Sequence, residues 1–241
     1  MKKLFYLFAL LAALACPVGA CAQPTPADTS ALAAVVAVQQ RTAATAARLF
    51  TGTEYLDYTP GNTIGNQFFT SNIAQFGSLA YDGRYFKRVP LLYDLKLDQL
   101  IVLDSARNRK IQLINEHVSS FTLGERRFVR LVPGSAASLP TGFYNVLLDG
   151  RTQLLARRTK KVVEEIVQQR LSFSYTETDR IFIYKDHQFS EITTLKTLLN
   201  ALLDQKPELQ KYARSNKLKF TTEARELSAM LLVGHYRTLA P

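Results

Sequence analysis

The chain has 241 residues and carries 30 lysine and arginine side chains against 20 aspartate and glutamate side chains, a formal net charge of +10. Its apolar fraction of 47% is ordinary for a packed globular protein. Both cysteines, Cys16 and Cys21, lie near the N-terminus, so the rest of the chain excludes an internal disulfide and thiol chemistry. The 14 phenylalanines and 11 tyrosines favour strands.

Residues 1–22 have the pattern of a secretory signal peptide. Lys2 and Lys3 precede an uncharged apolar run that is too short to cross a bilayer, since a transmembrane helix needs about 20 apolar residues. Small residues allow cleavage before Gln23, whereas Cys21 also ends a sequence that resembles a bacterial lipobox. The first interpretation predicts a periplasmic or secreted protein, and the second predicts a lipid anchor on Cys21.

Removal of the signal peptide takes away two lysines and no acid, which leaves 28 basic and 20 acidic side chains and a net charge of +8. Residues 23–50 are then predicted to form a linker and an alanine-rich helix. Ser30 is a favoured N-cap residue, and the alanines that follow it predict a helix over residues 30–49.

Residues 51–192 are predicted to form an antiparallel β domain. Two tight hairpins are indicated by Asp82-Gly83 and by Asp149-Gly150, because Asp-Gly supplies the positive φ values of a type I′ turn. A further turn at 177–179 is expected between strands at 171–175 and 181–184. The remaining predicted strands cover residues 90–95, 99–104, 109–115, 118–123, 127–132 and 188–192.

Connections this short favour sequential antiparallel pairing, since a parallel crossover needs a dozen or more residues. About ten such strands predict a meander that curves into a half-barrel or closes into a barrel. Residues 193–241 are predicted to be helical and to pack on the sheet, which makes the fold class α+β. The last helix is expected to begin at Thr222 and to bury Leu227, Met230 and Leu231.

Motifs for catalysis or metal binding are missing from the sequence. The three histidines, His117, His187 and His235, do not have the spacing of metal ligands. The sequence contains no nucleophile elbow and no phosphate-binding glycine loop, so no catalytic, cofactor-binding or metal-binding residue is predicted and no cofactor is expected. Acids such as Asp94 and Asp98, or the pair Glu164-Glu165, leave a hydrolase as a lesser alternative.

Basic residues gather in short runs, two of which occupy or flank predicted turns. At one end of the sheet such residues would form a positive rim that contacts an anionic lipid or glycan. The alternative is that turns carry charge simply because they are solvated. Nucleic acid is not an expected partner of an exported chain without a recognition motif. The residues proposed for anionic contact are Arg107, Arg109, Lys110, Arg126, Arg127, Arg157 and Arg158.

Several segments together resemble a family of uncharacterised exported proteins of Bacteroidota. They are residues 49–58, 77–83, 92–94 and 142–150, with the helical tail from Leu195 to Leu239. The resemblance implies a Gram-negative cell-envelope setting. It transfers no catalytic residue, because the family has no assigned activity.

The sequence therefore predicts a non-enzymatic envelope protein that binds a ligand or a partner, with no transmembrane span after the signal peptide. A second hypothesis is a structural or assembly factor that recognises another envelope protein through an open sheet edge or the basic rim. A third is a hydrolase whose carboxylates come from distant strands.

Overall fold

The computed structural model describes residues 48–132, 139–167 and 169–239. The predicted signal peptide, the lipidation candidate Cys21 and the helix predicted at 30–49, up to residue 47, lie outside the described residues. Residues Arg48–Phe50 form a single 3-10 turn.

Within these ranges the chain is mostly β, and eleven strands form one curved, largely antiparallel sheet. The order across the sheet is β1-β10-β9-β8-β7-β6-β2-β3-β4-β5, and β11 pairs with β10. The strands are β1 (Thr63–Ile64), β2 (Gln75–Tyr81), β3 (Arg84–Asp94), β4 (Gln99–Asp104), β5 (Arg109–Gln112), β6 (Val118–Leu123), β7 (Arg126–Leu131), β8 (Gly142–Leu148), β9 (Gln153–Val167), β10 (Arg170–Lys185) and β11 (Gln188–Ile192).

The pairing is not a single sequential meander. A 3-10 turn at Asn115–His117 leads from β5 to β6, and β6 then pairs with β2, placing Leu79 opposite Phe121. Two meanders, β2 to β5 and β6 to β11, are therefore joined edge to edge. β1 adds a short parallel pairing to β10. In the described part of the chain no pairing joins the two ends of the sheet, so it is not closed into a barrel.

The first predicted hairpin turn is confirmed, because Asp82 and Gly83 have φ values of 54° and 71° and Tyr81 pairs with Arg84. The second turn differs from the prediction. Residues 149–152 form a four-residue connection between β8 and β9, and Asp149 is not among the residues with positive φ.

The turn predicted at 177–179 is wrong, since these residues lie in the middle of the 16-residue strand β10. β10 pairs along its length with β9, which places Glu177 opposite Lys160 and Asp179 opposite Arg158. Opposite charges across a strand pair stabilise it, so these polar residues continue the strand instead of ending it. The basic run at 157–161 accordingly lies inside β9.

Two clusters of apolar side chains form most of the core. The first is aromatic and fills one face of the sheet: the rings of Tyr93, Phe121, Phe128 and Phe143 have neighbouring centroids 4.8 to 5.8 Å apart. Such aromatic pairs each add about 0.5–1.5 kcal/mol beyond the area they bury. The second cluster joins β9, β10 and β11 to the C-terminal helices.

The helices are α1 (Leu195–Ala201), α2 (Lys206–Ser215) and α3 (Arg225–Leu239). α3 begins three residues after the predicted Thr222. Its buried face also differs in part from the prediction: Leu227 and Leu231 are exposed to 62% and 43%, whereas Met230 is partly buried and packs against the second cluster. The residues that α3 buries are Ser228, Ala229, Leu232, Val233 and Tyr236.

Among the described residues, no helix has the length and apolar character needed to cross a membrane.

Candidate functional site

A cleft of about 440 Å³ lies between the sheet and α3. A second cleft of about 570 Å³ shares Arg126, Glu226 and Met230 with it and opens toward the turn between β6 and β7. β7, β9 and β10 supply Arg126, Arg158 and Asp179, while α3 supplies Glu226. Charged side chains that are far apart in sequence thus meet at one place in the fold.

Arg158 is at the centre of this charged group, and its side chain is only 7% exposed. Its guanidinium donates to Asp179, to both carboxylate oxygens of Glu226 at 3.0 and 2.9 Å, and to Asn145 Oδ1 at 3.1 Å. Arg126 Nη1 approaches Glu226 Oε1 at 3.7 Å. A buried arginine with several carboxylate and amide partners fixes the position of α3 against β9.

Burial raises the pKa of the Asp179 carboxyl above its ordinary value, and the Arg158 guanidinium opposes that shift. Asp179 Oδ1 and Arg158 Nε are buried without a hydrogen-bond partner among the described residues. The guanidinium also lies between the carboxylates of Asp179 and Glu226. The two acids therefore face a cation and not a gap that could hold a glycosidic bond, which general acid and base residues must flank.

Asp94, one of the acids considered for catalysis, is fully buried, and both of its carboxylate oxygens accept hydrogen bonds. Its Oδ2 accepts hydrogen bonds from Tyr55 Oη at 2.8 Å and Tyr58 Oη at 2.7 Å. Its Oδ1 accepts the backbone N–H groups of Lys96 and Leu97 at 2.8 and 3.0 Å. Burial raises the pKa of both tyrosine hydroxyls, so they remain donors to the carboxylate.

Asp98 belongs to a different network. Its carboxylate accepts from Tyr93 Oη at 2.6 Å and from Arg157 Nη2 at 3.4 Å, and burial raises its pKa. Tyr93 and Asp94 are consecutive in β3 and point to opposite faces of the sheet. Asp94 and Asp98 therefore hydrogen-bond in separate networks, and the structure does not bring them together as an acid pair. Glu164 and Glu165 are exposed near the far end of β9.

Each of the seven cations proposed for anionic contact has a carboxylate within 4.0 Å. The structure brings Arg126 and Arg158 together at the cleft, whereas Arg157 points to the other face of β9. Arg127 binds Asp149 at 2.6 Å, and Arg107 binds Asp104 at 3.5 Å. Arg109 and Lys110 have Asp104 and Asp57 as partners at 4.0 and 3.9 Å.

A different group of cations is exposed at the end of α2 and in the turn that follows it: Lys211, Arg214, Lys217 and Lys219, called here the C-terminal basic surface. In the part of the chain that the structure describes, none of the four forms an ion pair. The backbone N–H of Leu218 bonds to the Ala213 carbonyl at 3.0 Å, which folds the turn back onto α2. The sequence offered a weak signal, because these cations are spaced and not consecutive.

The histidines make separate contacts: His117 with Asp82 at 3.4 Å, His187 with Tyr184 at 3.3 Å, and His235 stacked on Tyr212 at 4.1 Å. No group of three or more potential metal ligands occurs among the described residues.

No protein-family model, no curated protein and no solved structure matches this chain.

Proposed function

We propose that this chain is an exported, non-enzymatic cell-envelope protein that binds an anionic lipid surface through the C-terminal basic surface. The observation that carries the proposal is the difference between cations that have a neighbouring carboxylate and cations that have none. Each of the seven arginine and lysine residues of the predicted rim has a carboxylate within 4.0 Å, whereas the four residues of the C-terminal basic surface are exposed and have no acidic partner within the described chain.

Simple electrostatics gives the expected strength. A lysine or arginine near an anionic membrane contributes about 1 kcal/mol, so four of them supply about 4 kcal/mol at low salt. Lys211 and Arg214 are three residues apart on α2 and share one face of the helix. Lys217 and Lys219 lie directly beyond the helix end, which keeps the four charges within a short segment. Such binding weakens as salt screens the charges.

The test is co-sedimentation of the processed protein with vesicles, comparing phosphatidylglycerol-rich vesicles with pure phosphatidylcholine vesicles. In one variant glutamine replaces all four residues of the C-terminal basic surface. A matched control variant changes Arg107, Arg109, Lys110 and Arg127 to glutamine, which removes the same charge from the paired cations.

We expect selective binding to the anionic vesicles, an affinity loss of up to about 10³-fold in the first variant, and a much smaller loss in the control. Equal losses in the two variants would mean that only net charge matters and would overturn the assignment of the surface. Failure of the unmodified protein to bind anionic vesicles would overturn the proposal itself.

The hydrolase alternative has less support. Of the acids predicted for it, Asp94 and Asp98 are held by tyrosine, arginine or backbone donors, and Glu164 and Glu165 are exposed on β9 outside the cleft. The acids at the cleft, Asp179 and Glu226, are both bound by Arg158. A general acid and base need an open space between them for the substrate.

A further inference from the structure

Beyond Ala156, the outer edge of β9 has no strand beside it in the described part of the chain. β8 pairs with β9 only as far as Ala156, which lies opposite Asn145. Beyond that point, the described part of the chain offers β9 no second strand partner on the side away from β10. The backbone N–H of Lys160 bonds to the Leu95 carbonyl at 3.3 Å, and residues 161–166 continue past this contact. We call these six residues the β9 edge.

The hydrogen-bonding direction of the β9 edge follows from that contact. In an antiparallel sheet, alternate residues direct their backbone groups to alternate sides. Since the backbone N–H of Lys160 points away from β10, the backbone groups of Val162, Glu164 and Ile166 do so as well. Their N–H and C=O groups therefore form a ladder available to another strand, the arrangement through which sheets add strands from a second chain.

The side chains of the β9 edge are exposed except for the half-buried Val162, and their charged groups form no ion pair within the described chain. Ile166 is 79% exposed and Val163 is 38% exposed. Lys161 and Glu165 are exposed and lie opposite Thr176 and Ser172 of β10, so neither has an opposite charge across the strand pair. Neither residue takes part in an ion pair elsewhere in the described chain.

The charge pattern Lys-Lys-Val-Val-Glu-Glu over residues 160–165 reverses sign about its centre. A strand of this kind is complementary to an antiparallel copy of itself. We propose that the β9 edge pairs with the β9 edge of a second copy of this chain, forming a two-fold symmetric dimer with a continuous sheet.

Symmetry and charge together select the register. Residues that face each other across a two-fold axis perpendicular to the sheet must lie on the same face, so their numbers have an even sum. Placing Val163 on the axis sets Lys161 opposite Glu165 twice and lets Val162 and Glu164 exchange backbone hydrogen bonds. A shift of one step to place Val162 on the axis would instead use Lys160, whose Nζ already donates to the carbonyls of Asn66 and Phe68 at 3.1 and 2.6 Å.

Other registers bring like charges together. Centring the contact on Lys161 or on Glu164 places that residue directly opposite its own copy, which is destabilising. The β9 edge is short compared with the interface of a permanent dimer, so association is expected to be weak and to depend on concentration.

Sedimentation velocity of the processed protein from about 1 µM to about 1 mM measures this association. Lys161→Glu and Glu165→Lys each replace two attractive contacts by two repulsive ones, and each is expected to weaken dimerisation at least about tenfold. Both side chains are exposed, so the variants should fold normally, which circular dichroism checks.

The discriminating experiment mixes the two single variants. In the mixed dimer the glutamate introduced at position 161 of one chain faces the lysine introduced at position 165 of the other. The unchanged Glu165 and Lys161 face each other in the second contact, so an equimolar mixture is expected to associate as well as the unmodified protein. The double variant Lys161→Glu with Glu165→Lys restores the same pairs between identical chains and should also dimerise. A monomeric unmodified protein up to about 1 mM, or single variants that dimerise as well as it does, would overturn the proposal.

Discussion

Substitution of Arg158 by methionine tests the charged cleft that joins the sheet to α3. Methionine keeps a long apolar side chain but removes the guanidinium that donates to Asp179, Glu226 and Asn145. The carboxylates of Asp179 and Glu226 then remain close to each other in the partly buried cleft. We expect the free energy of unfolding to fall sharply, because Asp179 loses its Arg158 partner and Glu226 keeps only Arg126 Nη1, 3.7 Å away.

The magnitude follows from the burial of the partners. Removing one member of a buried ion pair costs about 3–5 kcal/mol. Asp179 and Glu226 retain 32% and 27% side-chain exposure, so water screens them in part. The expected loss is therefore near the lower limit, about 3 kcal/mol at neutral pH. Arg107→Met is a matched control, since Arg107 is 67% exposed and its ion pair with Asp104 should contribute less than about 1 kcal/mol.

The penalty should also depend on pH. In the native protein the pKa of Asp179 is already raised by burial, and without Arg158 it rises further. A carboxyl whose pKa is higher in the folded state than in the unfolded state favours folding at low pH and loses that contribution as pH rises through the folded pKa. The destabilisation caused by Arg158→Met should therefore be smallest near the ordinary aspartate pKa. It should grow as the pH rises through the raised pKa of Asp179 and be largest at neutral pH.

Urea denaturation of the unmodified protein and both variants, from about pH 4 to about pH 8, measures both effects. A loss below about 1 kcal/mol at neutral pH would refute the structural role of Arg158. A penalty that is independent of pH would refute the reasoning about Asp179.

Three further outcomes are expected. Gly77→Ala should destabilise the protein by about 3 kcal/mol in urea denaturation, because its Cβ would lie 1.8 Å from the Thr122 carbonyl oxygen and force β2 away from β6. Gly61→Ala is the control, since it has open space, and an equal loss there would contradict the account. Gly234→Ala, in the interior of α3 where an added Cβ would meet no side chain or other element within 4 Å, should stabilise the protein by about 0.5–1 kcal/mol, which thermal unfolding would show. Reducing agent should leave the melting temperature of the processed protein unchanged, and a shift of several degrees would contradict removal of both cysteines with the signal peptide.

Local rules of backbone conformation predicted much of the fold. Asp82 and Gly83 occupy the positive-φ positions that a two-residue hairpin requires, so this turn could be located from two letters. Asp149-Gly150 does not form such a turn. Leu148 pairs with Leu154 after a register shift in β8, so the connection between β8 and β9 is longer than two residues. A two-residue turn sequence locates a strand reversal only when the pairing register of the two flanking strands allows a two-residue connection.

Long-range pairing could not be predicted by the same means. Nothing within residues 113–117 indicates that the chain passes from β5 to the free edge of β2, since that choice depends on Leu79 and Phe121 packing in the aromatic core. Likewise Leu227 and Leu231 match a helical period, but the face that α3 buries is set by the strands beneath it. Periodicity identifies a helix more readily than it identifies the side that is covered.

The candidate sites show the same division. In the sequence Arg158 is notable only as part of a basic run, yet its role depends on Asp179 and Glu226, which are 21 and 68 residues away along the chain. Lys211 and Arg214 are separated in sequence and form no basic run, although they are exposed and have no acidic partner in the described structure. A run of like charge is therefore a poor measure of free positive charge; the useful quantity is the charge that remains after cross-strand and helix contacts are counted.

In β9 the remaining positive charge must be counted separately for each face of the strand. On one face, Arg158 and Lys160 lie opposite Asp179 and Glu177 of β10, so this face is neutralised within the hairpin. On the other face, Lys161 lies opposite Thr176, so its charge has no such partner. One basic run thus contains residues that hold the fold together and Lys161, whose charge is available to a partner. The alternation of the strand separates Lys161 from Arg158 and Lys160, and the contact of Arg157 with Asp98 separates it from Arg157 on the same face.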